Sequence, residues 1–266
     1  MKVRDHILAI LEENRGDYIS GEALASRLCV SRAAVWKAVE RLRGEGYEIL
    51  ASTNRGYSLS PSSEILSAQS IEKYLPREEF PFRVQVYQCV ESTNDVVKTQ
   101  ASQGAAEGTV AVAERQSAGK GRRGRAFFSP KGTGVYFSVL LRPSLSAQES
   151  VYITTAAAVA TACAIESLSG REARIKWVND VFCGGKKVSG ILTEASLDME
   201  SGTLEYAVLG IGINVLLPVS EFPAEIKNVA ASVFENATPP LDARSRLIAD
   251  TLKNFWHYYQ HLAEKP

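Results

Sequence analysis

Cysteine is scarce in this 266-residue chain. Cys29, Cys89, Cys163 and Cys183 are the only four, and no two form a CxxC pair. That spacing excludes a disulfide framework and a cysteine-ligated metal site, and it reads as reduced thiols in a cytoplasmic protein. Histidine is scarcer still. His6, His257 and His261 lie near the two ends, and His257 with His261, four apart, reads as a helix-surface pair rather than a metal site. There is no net charge, because 30 basic residues balance 30 acidic ones. Nucleic-acid binding must therefore be local and not a property of the whole surface. No signal peptide and no run of about 18 apolar residues is found, so no membrane partner is expected. The chain has no GxxxxGK[ST] loop and no internal repeat, which removes the P-loop and solenoid classes. What remains is 45% hydrophobic and 23% charged residues. That is a packed globular composition, at a length comfortable for two domains.

The first 60 residues carry a helical code. Ile7, Leu8, Ile10 and Leu11 repeat at helix spacing over residues 4–14. Ser20 is a cap for a second helix, roughly 21–28, and Ser31 a cap for a third, roughly 32–43, with Val35, Val39 and Leu42 inward. The tight Cys29-Val30 turn between them makes a helix-turn-helix pattern. The third helix exposes Arg32, Lys37, Arg41 and Arg43 against one acid, Glu40. Two short strands around Thr53-Asn54-Arg55 follow, as a wing with Arg55 at its tip. Ser31, Arg32, Ala33, Lys37, Arg41 and Arg55 are the expected DNA contacts, by helix in the groove and wing on phosphate. A winged helix that binds protein is the rival reading. The expected domains are residues 1–62, a linker 63–80, and a second domain 81–266.

From residue 82 strands and helices alternate, with polar insertions at strand ends, where α/β folds keep their ligands. The densest is RQSAGKGRRGRAFFSP at 115–130. Its glycines let backbone N–H groups approach an anion, and Lys120, Arg122, Arg123 and Arg125 surround the charge. Gly119-x-Gly121-x-x-Gly124 matches a dinucleotide fingerprint only on paper, since Lys and Arg fill the gaps. A solvated basic loop or a nucleic-acid patch are the alternatives. Ser92-Thr93-Asn94 opens a helix over 94–102, as ligand donors or as a plain N-cap. Lys176-Trp177-Val178-Asn179-Asp180 sets a cation and a carboxylate in one loop. There Asp180 could hold Mg²⁺ or orient an amine, or Asn-Asp could be a simple turn. Lys187 starts a strand beside Gly190, and Gly210 and Gly212 interrupt an apolar strand that needs a close approach to its backbone.

In this order, ESTN at 91–94, GKGRRGR at 119–125 followed by FFSP, KWVND at 176–180, KVSGILTE at 187–194 and GIGIN at 210–214 resemble the bifunctional biotin protein ligases, also called biotin operon repressors. The resemblance runs from residue 1 to about 262. It implies an α+β (mixed α/β) fold: a winged helix-turn-helix, then a mixed-sheet catalytic domain of the class II synthetase and lipoate-ligase type. It implies that biotin and MgATP give biotinyl-5′-AMP, whose acyl group then passes to a lysine of a biotin carboxyl carrier domain. It further implies a biotin-responsive repressor that binds operator DNA as a ligand-promoted dimer, the strand edge near Gly210–Asn214 and the ligand loops being candidate contacts.

By the match, Ser92, Thr93, Asn94 and Gln116 would bond the biotin ureido ring, with Gly190 and Gly212 lining that pocket. Lys120, Gly121 and Arg122 would hold carboxylate and α-phosphate, and Lys187 would bridge them. Arg122, Arg125, Phe127, Lys176, Asn179, Asp180, Lys187 and Asn214 fall to the nucleotide, with Phe127, where Trp is frequent, stacking on adenine. Arg122, Lys187 and Asp180 are the expected catalytic groups, with Asp180 also the one Mg²⁺ contact through ATP and the candidate to orient the acceptor amine. The basic loop would act as a mobile clamp. Two departures stand out: Lys120 replaces the commoner Arg, and the chain ends at Pro266, so the family's C-terminal domain of roughly 50 residues is expected to be absent. A biotin-sensing regulator without transfer activity, or a lipoate ligase, are the alternatives.

Overall fold

The computed structural model describes residues 2–76, 78–197, 202–218, 221–235 and 237–262. The chain divides into two compact units, Met1–Lys73 and Tyr74–Pro266.

In the first unit, α1 (Val3–Glu13), α2 (Gly21–Leu28) and α3 (Arg32–Gly44) enclose Leu8, Leu11, Leu24, Val35, Val39 and Leu42. Ser20 Oγ accepts from Ala23 N at 3.0 Å and Ser31 Oγ from Ala34 N at 3.2 Å, so both expected caps form. Cys29 ends α2 in the left-handed region at φ 53°, which makes the turn tight. The wing is an antiparallel hairpin, β1 (Ile49–Ser52) with β2 (Gly56–Leu59). Gly56 is required there: its φ is +103°, and a Cβ would run into the backbone of Ile19 and Ser20. Tyr47 closes the core, and burial pushes its phenol up to about 12. The segment expected as a linker is partly structural. Residues 63–73 belong to this unit, with α4 (Ala68–Glu72) burying Ile71, and Lys73 pairing with the buried Glu12 at 3.0 Å.

The second unit is a seven-stranded sheet ordered β3-β4-β5-β9-β8-β7-β6. The strands are β3 (Arg83–Tyr87), β4 (Thr109–Ala113), β5 (Gly134–Leu141), β6 (Arg174–Lys176), β7 (Asp180–Cys183), β8 (Lys186–Leu197) and β9 (Leu204–Asn214). Only β3 and β4 are parallel. Helix α5 (Thr93–Ser102) joins those two, α6 (Ser150–Ser169) follows β5, and α7 (Ala243–Tyr259) comes last. Adjacent residues of β8 fix the layers. Thr193 hydrogen-bonds Thr154 of α6, while Glu194 accepts from Asn94 of α5, so the two helices cover opposite faces. Every residue of β4 and β5 is accordingly buried. By length and composition α6 is apolar enough to cross a membrane, although no unbroken apolar run marks it in the sequence. Its buried residues and its packing on α7 and β8 give that composition a role in the core. The expected dimer edge near Gly210–Asn214 is corrected by the topology: β9 is hydrogen-bonded to β5 on one side and β8 on the other, and it has no open edge.

Candidate functional site

The site is laid out around the N-terminus of α5, where it crosses β5 and β9. Ser92, Thr93 and Asn94 are all buried. Ser92 is the N-cap residue, yet its side chain makes no capping bond. The first helical N–H is met instead by Gln116, whose Oε1 accepts from Thr93 N at 2.8 Å and Thr93 Oγ1 at 3.1 Å while its Nε2 donates to Ser129 Oγ at 2.9 Å. Asn94 is locked at both ends. Its Nδ2 donates to Glu194 at 2.7 Å, and Ser138 Oγ lies 2.6 Å from its Oδ1. The Thr93 hydroxyl spends its one proton on Gln116, so Ser138 Oγ is the donor to either of its two acceptors, the amide oxygen or Thr93 Oγ1 at 2.7 Å. Burial raises the Glu194 carboxyl, but hydrogen bonds from Lys98 (2.5 Å) and Asn94 outweigh that and hold it below the usual range.

Glycines make the room. A Cβ on Gly210 would stand 3.0 Å from Asn94 Cγ and closer still to its oxygen. A Cβ on Gly212 would stand 2.7 Å from Phe127 Cζ, and one on Gly190 3.2 Å from Phe127 Cε2 and 3.1 Å from Lys187 Nζ. Phe127 therefore lies flat across two glycines of the sheet, with Tyr136 edge-on to it at 6.3 Å.

The basic loop is a built hairpin. Gly121 N donates to Arg125 O at 2.7 Å and Phe127 N to Gly119 O at 2.8 Å around a 3-10 turn, Arg122–Gly124. The loop expected to act as a clamp is thus held as a defined hairpin. Lys120 leaves the loop to pair with Asp95 at 2.5 Å, a bond that raises its pKa. Arg122 Nη1 donates to Asn179 Oδ1 at 3.0 Å. Asn179 Nδ2 donates in turn to Asp180 Oδ1 at 3.0 Å, and Lys187 Nζ sits 2.7 Å from that oxygen. The Lys187 backbone is held by Val229 O (2.8 Å) and Ala231 N (2.9 Å), outside the sheet.

Two cavities meet at this row. The inner one, about 450 Å³ including its mouth, is lined by Ser92, Thr93, Asn94, Gln116, Lys120 and the three glycines Gly190, Gly210 and Gly212. The outer one, about 1450 Å³ including its mouth, is lined by Arg123, Arg125, Lys176, Asp180, Phe182 and Val229. Gly121, Arg122, Phe127, Asn179 and Lys187 border both. The junction carries two cations beside one carboxylate, a setting for two anions brought face to face.

Most residues picked out from sequence converge here, with two corrections. Asn214 lines neither cavity; it closes the register opposite Gly134 and donates to Ala231 O at 3.2 Å. Phe127 covers Gly190 and Gly212, so its ring is a wall shared by both cavities rather than a platform of the outer one alone. The amide of Asn94 lines the inner cavity and is fixed by one bond to protein at each end, with its second N–H and second lone pair left over. Ser138 and Glu194 were missed. Each left a trace: a hydroxyl in the apolar strand Gly134–Leu141, and an acid four residues past Gly190.

In the first unit Ser31, Arg32, Ala33, Lys37, Arg41 and Arg55 are all exposed. Arg55 stacks over Tyr18 at 4.2 Å, and Arg41 reaches Glu45 at 3.2 Å. Arg43 is a correction: its guanidinium donates twice to Ile49 O (2.9 and 2.7 Å) and once to Glu40 (2.8 Å), tying α3 to the wing. Trp36, unremarked in the sequence, is 55% exposed on the same helix.

Residues 86–214 match the biotin/lipoate A/B protein ligase family, and residues 3–58 match an HTH domain. The chain is 36% identical to the bifunctional ligase/repressor BirA of Bacillus subtilis (strain 168), over 97% of this chain and 78% of that one. It is 32% identical to the BirA of Escherichia coli (strain K12), over 76% of this chain and 61% of that one. Among solved structures it resembles the biotin protein ligase from Aquifex aeolicus in complex with biotin and ATP. The TM-score is 0.58 at 32% identity, covering 70% of this chain and 73% of that one. The fold is that of the biotin and lipoate protein ligases. The chain belongs to the biotin protein ligase family, among the members that carry a helix-turn-helix repressor domain.

Proposed function

We propose that the protein activates biotin with ATP, transfers it to a lysine of a biotin carboxyl carrier domain, and represses transcription when biotin is plentiful. The observation that carries this reading is the junction of the two cavities, where Arg122 and Lys187 stand beside Asn179 and Asp180. The inner cavity, floored by glycine and rimmed by buried amides and hydroxyls, suits the neutral ring system of biotin. The outer, basic cavity suits ATP. A carboxylate is ionised at neutral pH, so the first step needs no base. Its oxygen attacks the α-phosphorus, pyrophosphate leaves, and the cations offset charge gathering between the two anions. In the second step the amine of the acceptor lysine attacks the acyl carbon and AMP leaves. Asp180 is the carboxylate available to orient that amine.

Among the described residues no group of three His, Cys, Asp or Glu side chains could hold a metal. The donor set therefore fits magnesium only as a companion of the nucleotide phosphates, with one carboxylate, Asp180, to offer. Its chemistry there would be to offset phosphate charge. Free, dispersed cysteines agree with a cytoplasmic setting. We further propose that bound adenylate promotes a homodimer, which couples ligand to operator DNA through differential affinity for two states.

One assay tests the reading. The protein is incubated with ATP, either biotin or lipoate, and a carrier domain, and the labelled lysine is detected by mass. A biotin adduct on one lysine is expected. A lipoyl adduct, or adenylate without transfer, would refute it.

A further inference from the structure

We propose that Trp36 is a sequence-reading residue of the winged helix, packing its indole on the C5 methyl of thymine in the major groove. The inference rests on the DNA-binding reading above. Four observations lead to it. Trp36 is 55% exposed, on a helix whose other large apolar residues are buried. It stands one turn from the cap of α3, flanked by exposed Arg32 and Ala33 on one side and Lys37 on the other. Two acids lie near it, and each faces an arginine: Glu40 pairs with Arg43 at 2.8 Å, and the exposed Glu22 lies 3.9 Å from Arg32. Finally, Arg32, Ala33 and Trp36 form one wall of a groove of about 1450 Å³, its open mouth included, whose other wall is the wing at Thr53 and Asn54.

An indole amid fixed positive charge is a mixed surface, apolar at its centre and cationic at its rim. Duplex DNA complements both: phosphates meet the rim, and the major groove offers one apolar group, the thymine methyl. The remaining base edges are donors and acceptors, which an indole face would strip of water without replacement. Ala33, lacking a long side chain, leaves the approach open. Arg32 and Lys37 supply affinity without sequence preference, and Trp36 supplies preference without charge.

The test is selection from a random duplex library by the full-length protein with biotin and MgATP present, for the parent, Trp36→Ala and Trp36→Phe. The parent is expected to enrich a motif with a fixed thymine in each half-site. Replacing those thymines by uracil deletes the methyl alone, and should weaken the parent about fourfold per methyl but leave Trp36→Ala unchanged. Trp36→Ala should bind the selected duplex at least about sixteenfold more weakly, about fourfold for each half-site, with the same salt slope and the same affinity for a duplex lacking the motif. Trp36→Phe should keep the thymine preference. A parent motif that Trp36→Ala selects equally well, indifference of the parent to uracil, or loss of motif-free binding in Trp36→Ala would each overturn the inference. Selection of no motif by the parent would overturn the DNA-binding reading with it. Circular dichroism melting checks that the exposed substitution leaves the fold intact.

Discussion

Gly210→Ala tests the packing at the heart of the site. Gly210 lies on β9 directly opposite Ser138 of β5, and the side chain of Asn94 fills the space above it. A methyl there would stand 3.0 Å from Asn94 Cγ and 3.2 Å from its Nδ2, and would overlap its oxygen. Neither neighbour can yield freely. Asn94 is pinned by Glu194 at 2.7 Å and Ser138 at 2.6 Å, and β9 is hydrogen-bonded on both sides. The amide must swing away. That loses one hydrogen bond to a carboxylate and one to a hydroxyl, and adds the strain of an overpacked methyl, about 4 kcal/mol together. For a unit of this size that lowers the melting temperature by roughly 10 °C. Scanning calorimetry of the full chain measures it, and biotin titration should show binding weakened at least about tenfold, because the displaced amide enters the inner cavity. A double-mutant cycle isolates the cause. In an Asn94→Ala background the clash is gone, and Gly210→Ala should cost about 1 kcal/mol or less. A melting temperature within about 2 °C of the parent, or additive costs in the cycle, would refute the reasoning.

Lys187→Ala should slow pyrophosphate release in the presence of biotin and ATP by about a hundredfold, the scale for losing one preorganised charge contact; release near the parent rate would remove Lys187 from the reaction. Glu194 predicts a pH dependence. Its folded pKa is held down, so its contribution is complete above the ordinary carboxylate value and is lost as pH falls through the folded one. The stability gap between the parent and Glu194→Gln in urea should be constant at neutral pH and shrink below about pH 4. Lys37→Ala should reduce the salt slope of DNA binding by about one and leave carrier labelling unchanged, as anisotropy and labelling assays would report.

Much of the site was legible because its chemistry needs residue types that sequence displays. A glycine-spaced run of Lys120, Arg122, Arg123 and Arg125 has no place in a core, and a capped polar turn such as Ser92–Asn94 stands out at a strand end. The part that stayed hidden depends on what neighbours what. Gly210 and Gly212 signalled a close approach to the backbone, but the approaching groups are the protein's own Asn94 and Phe127. Arg43 looked like its basic neighbours on α3, yet it serves the wing. Asn214 shares a strand with Gly212 but turns to Ala231, because neighbouring side chains on a strand or at its end need not face one cavity.

By itself the sequence determined the two-unit order, the capped helix-turn-helix, the alternation of strands and helices and the family. These rest on local spacing, capping and contiguous motifs, which act over a few residues. Tertiary structure decided the rest: that β9 lies inside the sheet with no open edge, that Ser138 and Glu194 lock Asn94, that Phe127 walls both cavities, and that Trp36 stands bare amid basic side chains. Each of these depends on strand register and helix placement between residues far apart in the chain, and no local pattern carries that information.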